Sequence, residues 1–200
     1  MIAIIDYGVG NLRSLEKAFA ASSVDVRVSS HTSVLQEAHA LVLPGVGAFR
    51  ACMKALVERG FDELILNRVA DGTPLMGVCV GMQMLFEESE EFGKTRGLGL
   101  LPGVVSRFSE GLVVPQVGWN QVDQRGSHPL FSGINNNTHF YFVHSYYCKP
   151  KDDATVIGLT DYAGPYASVV AQKNLYGVQF HPEKSQAAGL RLLANFVAQA

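Results

Sequence analysis

The sequence predicts an α/β fold, an open sheet with a parallel centre flanked by helices and antiparallel strands towards the C-terminus. In the first half of the chain, short apolar runs alternate with segments of helical period, the pattern of a parallel sheet covered on both faces. From Gly97 onward the texture changes to short strands separated by Gly, Pro and Asn, which reads as hairpin-linked strands. The chain has 200 residues, 48% hydrophobic and 17% charged, enough to bury a sizeable core without metals or disulfides. Residues 1–200 are therefore expected to form one domain.

Ile2 to Asp6 is a continuous apolar strand, and Asn11 to Ala21 places Leu12, Leu15, Ala18 and Phe19 at helical spacing. Val24 to Val28 alternates as a second strand, Thr32 to Ala38 fits a short capped helix, and Ala40 to Leu43 is a buried strand stopped by Pro44-Gly45. Phe49 to Arg59 and Phe61 to Ala70 read as helices, Pro74 to Val78 as a strand, and Gly81 to Phe86 as a helix. Beyond Gly97, the expected strands are Val104 to Phe108, Val113 to Gln121, His139 to Cys148, Thr155 to Thr160, Ala167 to Gln172 and Tyr176 to Phe180. A last helix, Gln186 to Gln199, carries Leu190, Leu193, Phe196 and Val197 on one side for packing on the sheet.

Composition narrows the function. Sixteen Lys and Arg face eighteen Asp and Glu with no dense basic patch, so no nucleic-acid partner is expected. No apolar stretch approaches the length of a bilayer span, so no membrane role is expected either. Three cysteines without zinc-site spacing, and an N-terminus lacking a basic segment before its apolar run, read as a cytoplasmic chain with no metal. Small-molecule chemistry is left.

The feature that points to that chemistry is Gly77-Val78-Cys79-Val80-Gly81, a cysteine between glycines where a strand turns into a helix. Such a turn strains its central residue, and the glycines let neighbouring backbone pass close by. It presents the thiol at a helix N-terminus, where a thiolate is favoured. Cys52 and Cys148 read instead as core residues. Pro44-Gly45-Val46-Gly47-Ala48-Phe49 is a second glycine loop at a strand end, able to aim N–H groups at an anion. It and Gly8-Val9-Gly10-Asn11-Leu12-Arg13 each put Arg where a dinucleotide fingerprint needs its last glycine, and neither continues as a P-loop.

A thiol nucleophile needs a base, and the base needs a group to hold its tautomer. Phe180-His181-Pro182-Glu183 supplies both, since a spacing of two on a strand puts His181 and Glu183 on one face and Pro182 ends the ladder.

Gly77-Val78-Cys79-Val80-Gly81-Met82-Gln83 with Phe180-His181-Pro182-Glu183 resembles the class I glutamine amidotransferases. Four further segments are similar to the glutaminase subunits of imidazole glycerol phosphate synthases: Asp6 to Ser14, Leu43 to Phe49, Gln116 to Asn120 and Tyr141 to Tyr147. The one departure is Val80, where leucine is more usual. The resemblance implies a Cys79-His181-Glu183 triad that hydrolyses L-glutamine without a cofactor. An oxyanion hole is expected from the Val80 N–H and the Gly45-Val46-Gly47 turn, with Val46 and Gly47 as its candidates. The resemblance further implies that Gln83, Gly45 and the segment His144, Ser145 and Tyr146 hold substrate, and that Asn11, Trp119 and Lys184 meet a cyclase subunit in a heterodimer. That partner would consume the ammonia in histidine biosynthesis. Alternatives are an amidotransferase serving another acceptor, a partnerless cysteine peptidase-like hydrolase, and a glutamine sensor with a relic site.

Overall fold

In a computed structural model that describes residues 1–22, 24–109 and 111–200, the first half of the chain alternates as its periodicity predicts. It runs β1 (Ile2–Ile5), α1 (Leu12–Ala20), β2 (Val26–Ser29), α2 (Thr32–Glu37), β3 (Ala40–Gly45), α3 (Phe49–Glu58), α4 (Phe61–Ala70), β4 (Leu75–Cys79) and α5 (Val80–Met84). β1, β3 and β4 are buried along their whole length, as strands covered on both faces must be. Helix α1 buries Leu15, Ala18 and Phe19 along one side, and α3 buries Phe49, Cys52, Met53 and Leu56. Thr32 does not cap α2: His31 occupies the cap position, with no side-chain bond.

The second half contains β5 (Phe86–Ser89), β6 (Thr95–Arg96), β7 (Leu101–Arg107), β8 (Gln116–Gln124), β9 (Thr138–His144), β10 (Tyr146–Pro150), β11 (Val156–Asp161), β12 (Pro165–Gln172), β13 (Leu175–Val178) and α6 (Gln186–Val197). Strand order along the sheet is β2-β1-β3-β4-β13-β12-β10-β7-β5-β6, and β12 also pairs with β11, which leads through β8 to β9. The β2-β1-β3-β4-β13 portion is parallel, and most later pairings are antiparallel.

Four expectations are corrected. The helix expected over Gly81 to Phe86 ends at Met84, because Phe86 onward pairs in parallel with β7; β5 and the short β6 were not foreseen. The strand expected from Val113 begins at Gln116, after Pro115, a residue with no N–H for a ladder. The expected strand His139 to Cys148 is two strands meeting at Ser145, because β9 pairs with β8 while β10 pairs with β7 and β12. Finally, β13 is an internal parallel strand beside β4 and stops at Val178, two residues short of the expected Phe180.

Pairing β13 with β4 puts Val178 beside Val78, so the chain leaving β13 arrives next to Cys79. The turn at Cys79 is packed backbone against backbone. A Cβ on Gly45 would lie 2.6 Å from Gly81 N, and one on Gly77 would lie 2.6 Å from Gly81 O. On Gly81 it would strike the Leu43 carbonyl oxygen. These three glycines are what allow β3, β4 and α5 to approach so closely. Gly81→Ala is expected to cost at least about 3 kcal/mol in denaturant unfolding. Gly126→Asn, in open space at φ 76°, is expected to stay within about 1 kcal/mol; equal costs would contradict this account of the turn.

Candidate active site

Cys79 adopts φ 56° and ψ −116°, a backbone conformation that L residues avoid. Strand β4 ends on it and α5 starts at the next residue, so the side chain is thrown off the end of the sheet. The thiol is less open than expected: the residue is 3% exposed and forms the floor of a cavity of about 280 Å³. With only five residues, α5 has too few aligned peptides for a full macrodipole, so its unpaired N–H groups matter more than its dipole.

His181 reaches the same cavity from the segment after β13. Its Nδ1 lies 2.9 Å from Glu183 Oε1, with both side chains almost completely buried. A carboxylate only accepts, so Nδ1 carries the proton and Nε2 is left for the cavity. The residues meet through a single 3₁₀ turn, Pro182–Lys184, and not by strand alternation. Ser185 braces that turn: its Oγ donates to His181 O at 2.7 Å and accepts from Tyr141 N at 3.0 Å. Burial alone would depress the imidazole, but hydrogen bonding and charge from Cys79 and Glu183 outweigh it and push His181 up to about 10. Glu183 Oε2 is buried without a partner, which adds to the advantage of a cation at His181.

Val46 and Gly47 form the facing wall with Val80. The root of their loop is tied by Tyr7, whose hydroxyl donates to Pro44 O at 2.6 Å, and its tip by Cys52, whose thiol lies 3.4 Å from Val46 O. Cys52, buried in the core as expected, is also a donor to this loop. Gly45 is not on the wall; it packs against Gly81.

Gln83, Ser145 and Tyr146 line the cavity. Gln83 Nε2 donates to Tyr146 O at 3.0 Å and to Gln179 Oε1 at 3.1 Å, so both amide hydrogens are used within the protein and only its oxygen is left for a ligand. Three residues were not singled out from the sequence. Glu91 lines the cavity, and its Oε2 accepts from Phe49 N at 2.6 Å. Gln179, fully buried, points its amide at Cys79, and Ser185 braces the turn. A polar residue inside the apolar run Val178-Gln179-Phe180 was the available signal for Gln179.

His144, also on the cavity, is buried, with Nδ1 2.8 Å from Tyr146 O and Nε2 3.2 Å from the Tyr166 hydroxyl. Burial holds its pKa down to about 4, with the His181 charge adding to the effect. Among the described residues, no group of three or more His, Cys, Asp or Glu is arranged to hold a metal.

Away from the cavity, Trp119 is 46% exposed on β8, beside the more exposed Val117. Its ring packs edge-on to Tyr141 at 6.0 Å, and Lys184 Nζ lies 5.7 Å from the same Tyr141 ring. Trp119 and Lys184 therefore share one surface through Tyr141. Asn11 is half-buried at the start of α1, the helix that packs on the turn bearing Lys184.

His144 gives a pH prediction. Its folded pKa lies below the unfolded value, so the unfolded chain takes up the proton first and stability falls as pH drops from about 6.5 towards about 4. Unfolding at pH 7 and pH 4 should show the parent losing roughly 2–3 kcal/mol more than His144→Gln over that interval. Parallel losses would contradict a neutral buried His144.

Comparison with known proteins agrees with the fold and the motifs. The glutamine amidotransferase class-I family model matches residues 3–200. The imidazole glycerol phosphate synthase subunit HisH of Syntrophotalea carbinolica is 48% identical, with 98% of this chain and 98% of the relative covered. The subunit of the same name from Methylococcus capsulatus is 50% identical over 98% of this chain and 95% of the relative. Among solved structures, a glutamine amidotransferase superposes with a TM-score of 0.78 at 20% identity, covering 98% of this chain and 97% of that one. A chain of PurLQS from Thermotoga maritima also gives 0.78, at 17% identity, with coverage of 99% and 97%. These distant structures share the fold; the family match and the close relatives carry the assignment, and the chain belongs to the class I glutamine amidotransferases.

Proposed function

We propose that this chain is the glutaminase subunit of an imidazole glycerol phosphate synthase. It hydrolyses L-glutamine to L-glutamate and delivers the ammonia to a cyclase subunit that makes imidazole glycerol phosphate and aminoimidazole carboxamide ribonucleotide in L-histidine biosynthesis. The observation that carries the reading is one cavity that gathers Cys79 in its strained turn, the cavity-facing nitrogen of the His181–Glu183 pair, and the Val46–Gly47 wall. The relatives' shared subunit name supports the choice of acceptor pathway.

In this reading Cys79 is the nucleophile. Its sulfur attacks the side-chain amide carbon of glutamine, and the oxyanion is met by backbone donors, the Val80 N–H and one from Val46 or Gly47; losing one such donor costs about 2.7–4 kcal/mol in the barrier. His181, held as a cation by Glu183 and the thiolate, gives its proton to the departing ammonia. Water then attacks the thioester with His181 as base. The Glu91 carboxylate suits the substrate's α-ammonium, and Gln83, Ser145 and Tyr146 complete the wall around it. Gly45 contributes by packing, not by contact with substrate.

We place residues 1–200 in a single amidotransferase domain, and in this reading the ammonia is consumed by the cyclase subunit on another chain. The exposed Trp119 and Lys184 and the half-buried Asn11 are proposed to face that partner in a heterodimer. No helix of the described residues is long and apolar enough to cross a membrane, and the reading places the complex in the cytoplasm.

Cys79→Ala should abolish glutamine-dependent product formation by the complex while ammonium salts still support it. Retained glutamine use would reject the nucleophile, and loss of both activities would reject a role confined to ammonia supply. Partner binding is proposed to turn the Val46 and Gly47 N–H groups into the oxyanion hole, so the isolated chain should hydrolyse glutamine far more slowly than the complex; a full rate without partner would reject that gating.

A further inference from the structure

The amide of Gln179 is a group at the reacting sulfur to which the mechanism above gives no part. Gln179 is completely buried, and its Nε2 lies 3.8 Å from Cys79 Sγ. The direction of that bond follows from chemistry elsewhere. A backbone carbonyl only accepts, so the Gln83 atom facing Tyr146 O at 3.0 Å is its NH₂ group. The same NH₂ faces Gln179 at 3.1 Å, which requires the Gln179 atom there to be oxygen. The remaining end of the Gln179 amide, the NH₂, therefore points at the sulfur. Exchanging oxygen and nitrogen in either amide would set two acceptors or two donors against each other.

A donor fixed on sulfur discriminates between its protonation states. A thiolate only accepts, whereas a thiol also needs somewhere to place its own hydrogen. The carbonyl recorded against it, Val143 O, is 4.0 Å away. The donated bond thus favours the charged form. We propose that Gln179 is a catalytic donor to the Cys79 thiolate, its amide oriented by the positioning residue Gln83 from the Tyr146 carbonyl. This rests on the reading of Cys79 as nucleophile. The same contact acts when the thioester breaks: the water oxygen bonds to the acyl carbon, its proton goes to His181, and the C–S electron pair returns to a sulfur already facing an N–H.

Other titratable groups also bear on the thiol. His181 approaches from the end of β13, Tyr7 follows β1, Cys52 lies on α3 and Cys148 on β10, while Glu91 and His144 line the cavity. Gln179 is distinguished from them by being uncharged, so its removal changes donation without changing the charge of the site.

The test is the pH dependence of Cys79 alkylation by iodoacetamide in the whole chain, read by peptide mass. Cys52 and Cys148, whose thiols burial pushes up, serve as slow internal references. Gln179→Met should move the midpoint up by about one pH unit, a tenfold loss of thiolate below it. Gln83→Met, which frees the Gln179 amide to rotate, should move it in the same direction by less. If Gln179→Met does not fold, Gln179→Leu, likewise uncharged and without a donor, should raise the midpoint as far. In the unmutated chain, the Gln179 side-chain amide resonance should titrate with the alkylation midpoint. Unchanged midpoints in folded variants, or a resonance that ignores the titration, would overturn the proposal. Failure of the broader reading would appear separately, as a complex that makes no product from glutamine.

Discussion

Cys79 is held at φ 56° by backbone that has nowhere else to go. A conformation of this kind costs on the order of 1–3 kcal/mol and persists only where its surroundings over-determine it. Here β4 lies between β3 and β13, buried at every residue, and Gly81 is pressed against Leu43 on the neighbouring strand. Relaxing the turn would pull Gly81 off β3 and break the contacts that seat α5. The rest of the site is arranged around this fixed point: β13 delivers Gln179 and His181 beside it, β3 delivers Val46 and Gly47, and the β9–β10 junction delivers Ser145 and Tyr146.

Electrostatics then assigns different states to two histidines on one cavity. His181 has a buried carboxylate on one nitrogen and the thiol on the other side, so its charge is favoured in spite of burial. His144 has a backbone carbonyl and a tyrosine hydroxyl as partners and no buried anion of its own, so burial prevails and it stays neutral. The linkage signs are opposite. The stabilisation from His181 is complete below the ordinary imidazole range and is lost as pH rises towards about 10, whereas that from a neutral His144 is lost as pH falls towards about 4. Glu183 is costly to bury with Oε2 unpartnered, and a cationic His181 is what offsets that cost.

Local chemistry determined which parts of this arrangement could be read in the sequence. The parallel half was legible because strands buried on both faces are continuous apolar runs and the helices keep one apolar side. The Cys79 turn was legible because Gly77 and Gly81, two of the three glycines that permit it, flank the cysteine in the chain, whereas the part of Gly45 on β3 was not. His181 and Glu183 were identified as neighbours by spacing, although the geometry that joins them is a turn, since Pro182 ends the ladder earlier than alternation suggests. The break at Ser145 had no local signal: the aromatic run through it is compatible with one long strand, and only the change of partner from β8 to β7 divides it. β5 was hidden for a related reason, because Phe86 to Ser89 gains its strand character from β7, a partner that lies beyond β6 in the chain. The direction of the Gln179 amide depends on Gln83 and Tyr146, distant in sequence, and no spacing rule reaches it.

The Val46–Gly47 wall has unequal anchors, and this inequality limits how it can move. Its root is held by a short bond from the buried Tyr7 hydroxyl to Pro44 O, and Gly45 is wedged against Gly81. Its tip is held by a thiol, a weak donor, and Gly47 has open space where a side chain would be. Turning the peptides on either side of Val46 therefore gives up one S–H contact and little packing, whereas moving Pro44 would break a hydroxyl bond and disturb the Cys79 turn itself. A change in the orientation of the wall's N–H groups is thus confined to Val46 and Gly47, on the same cavity as the sulfur, while Cys79 and the His181–Glu183 pair stay in place. A proposed partner that bears on this loop would adjust the N–H groups proposed to meet the oxyanion without disturbing the strained turn that presents the thiol.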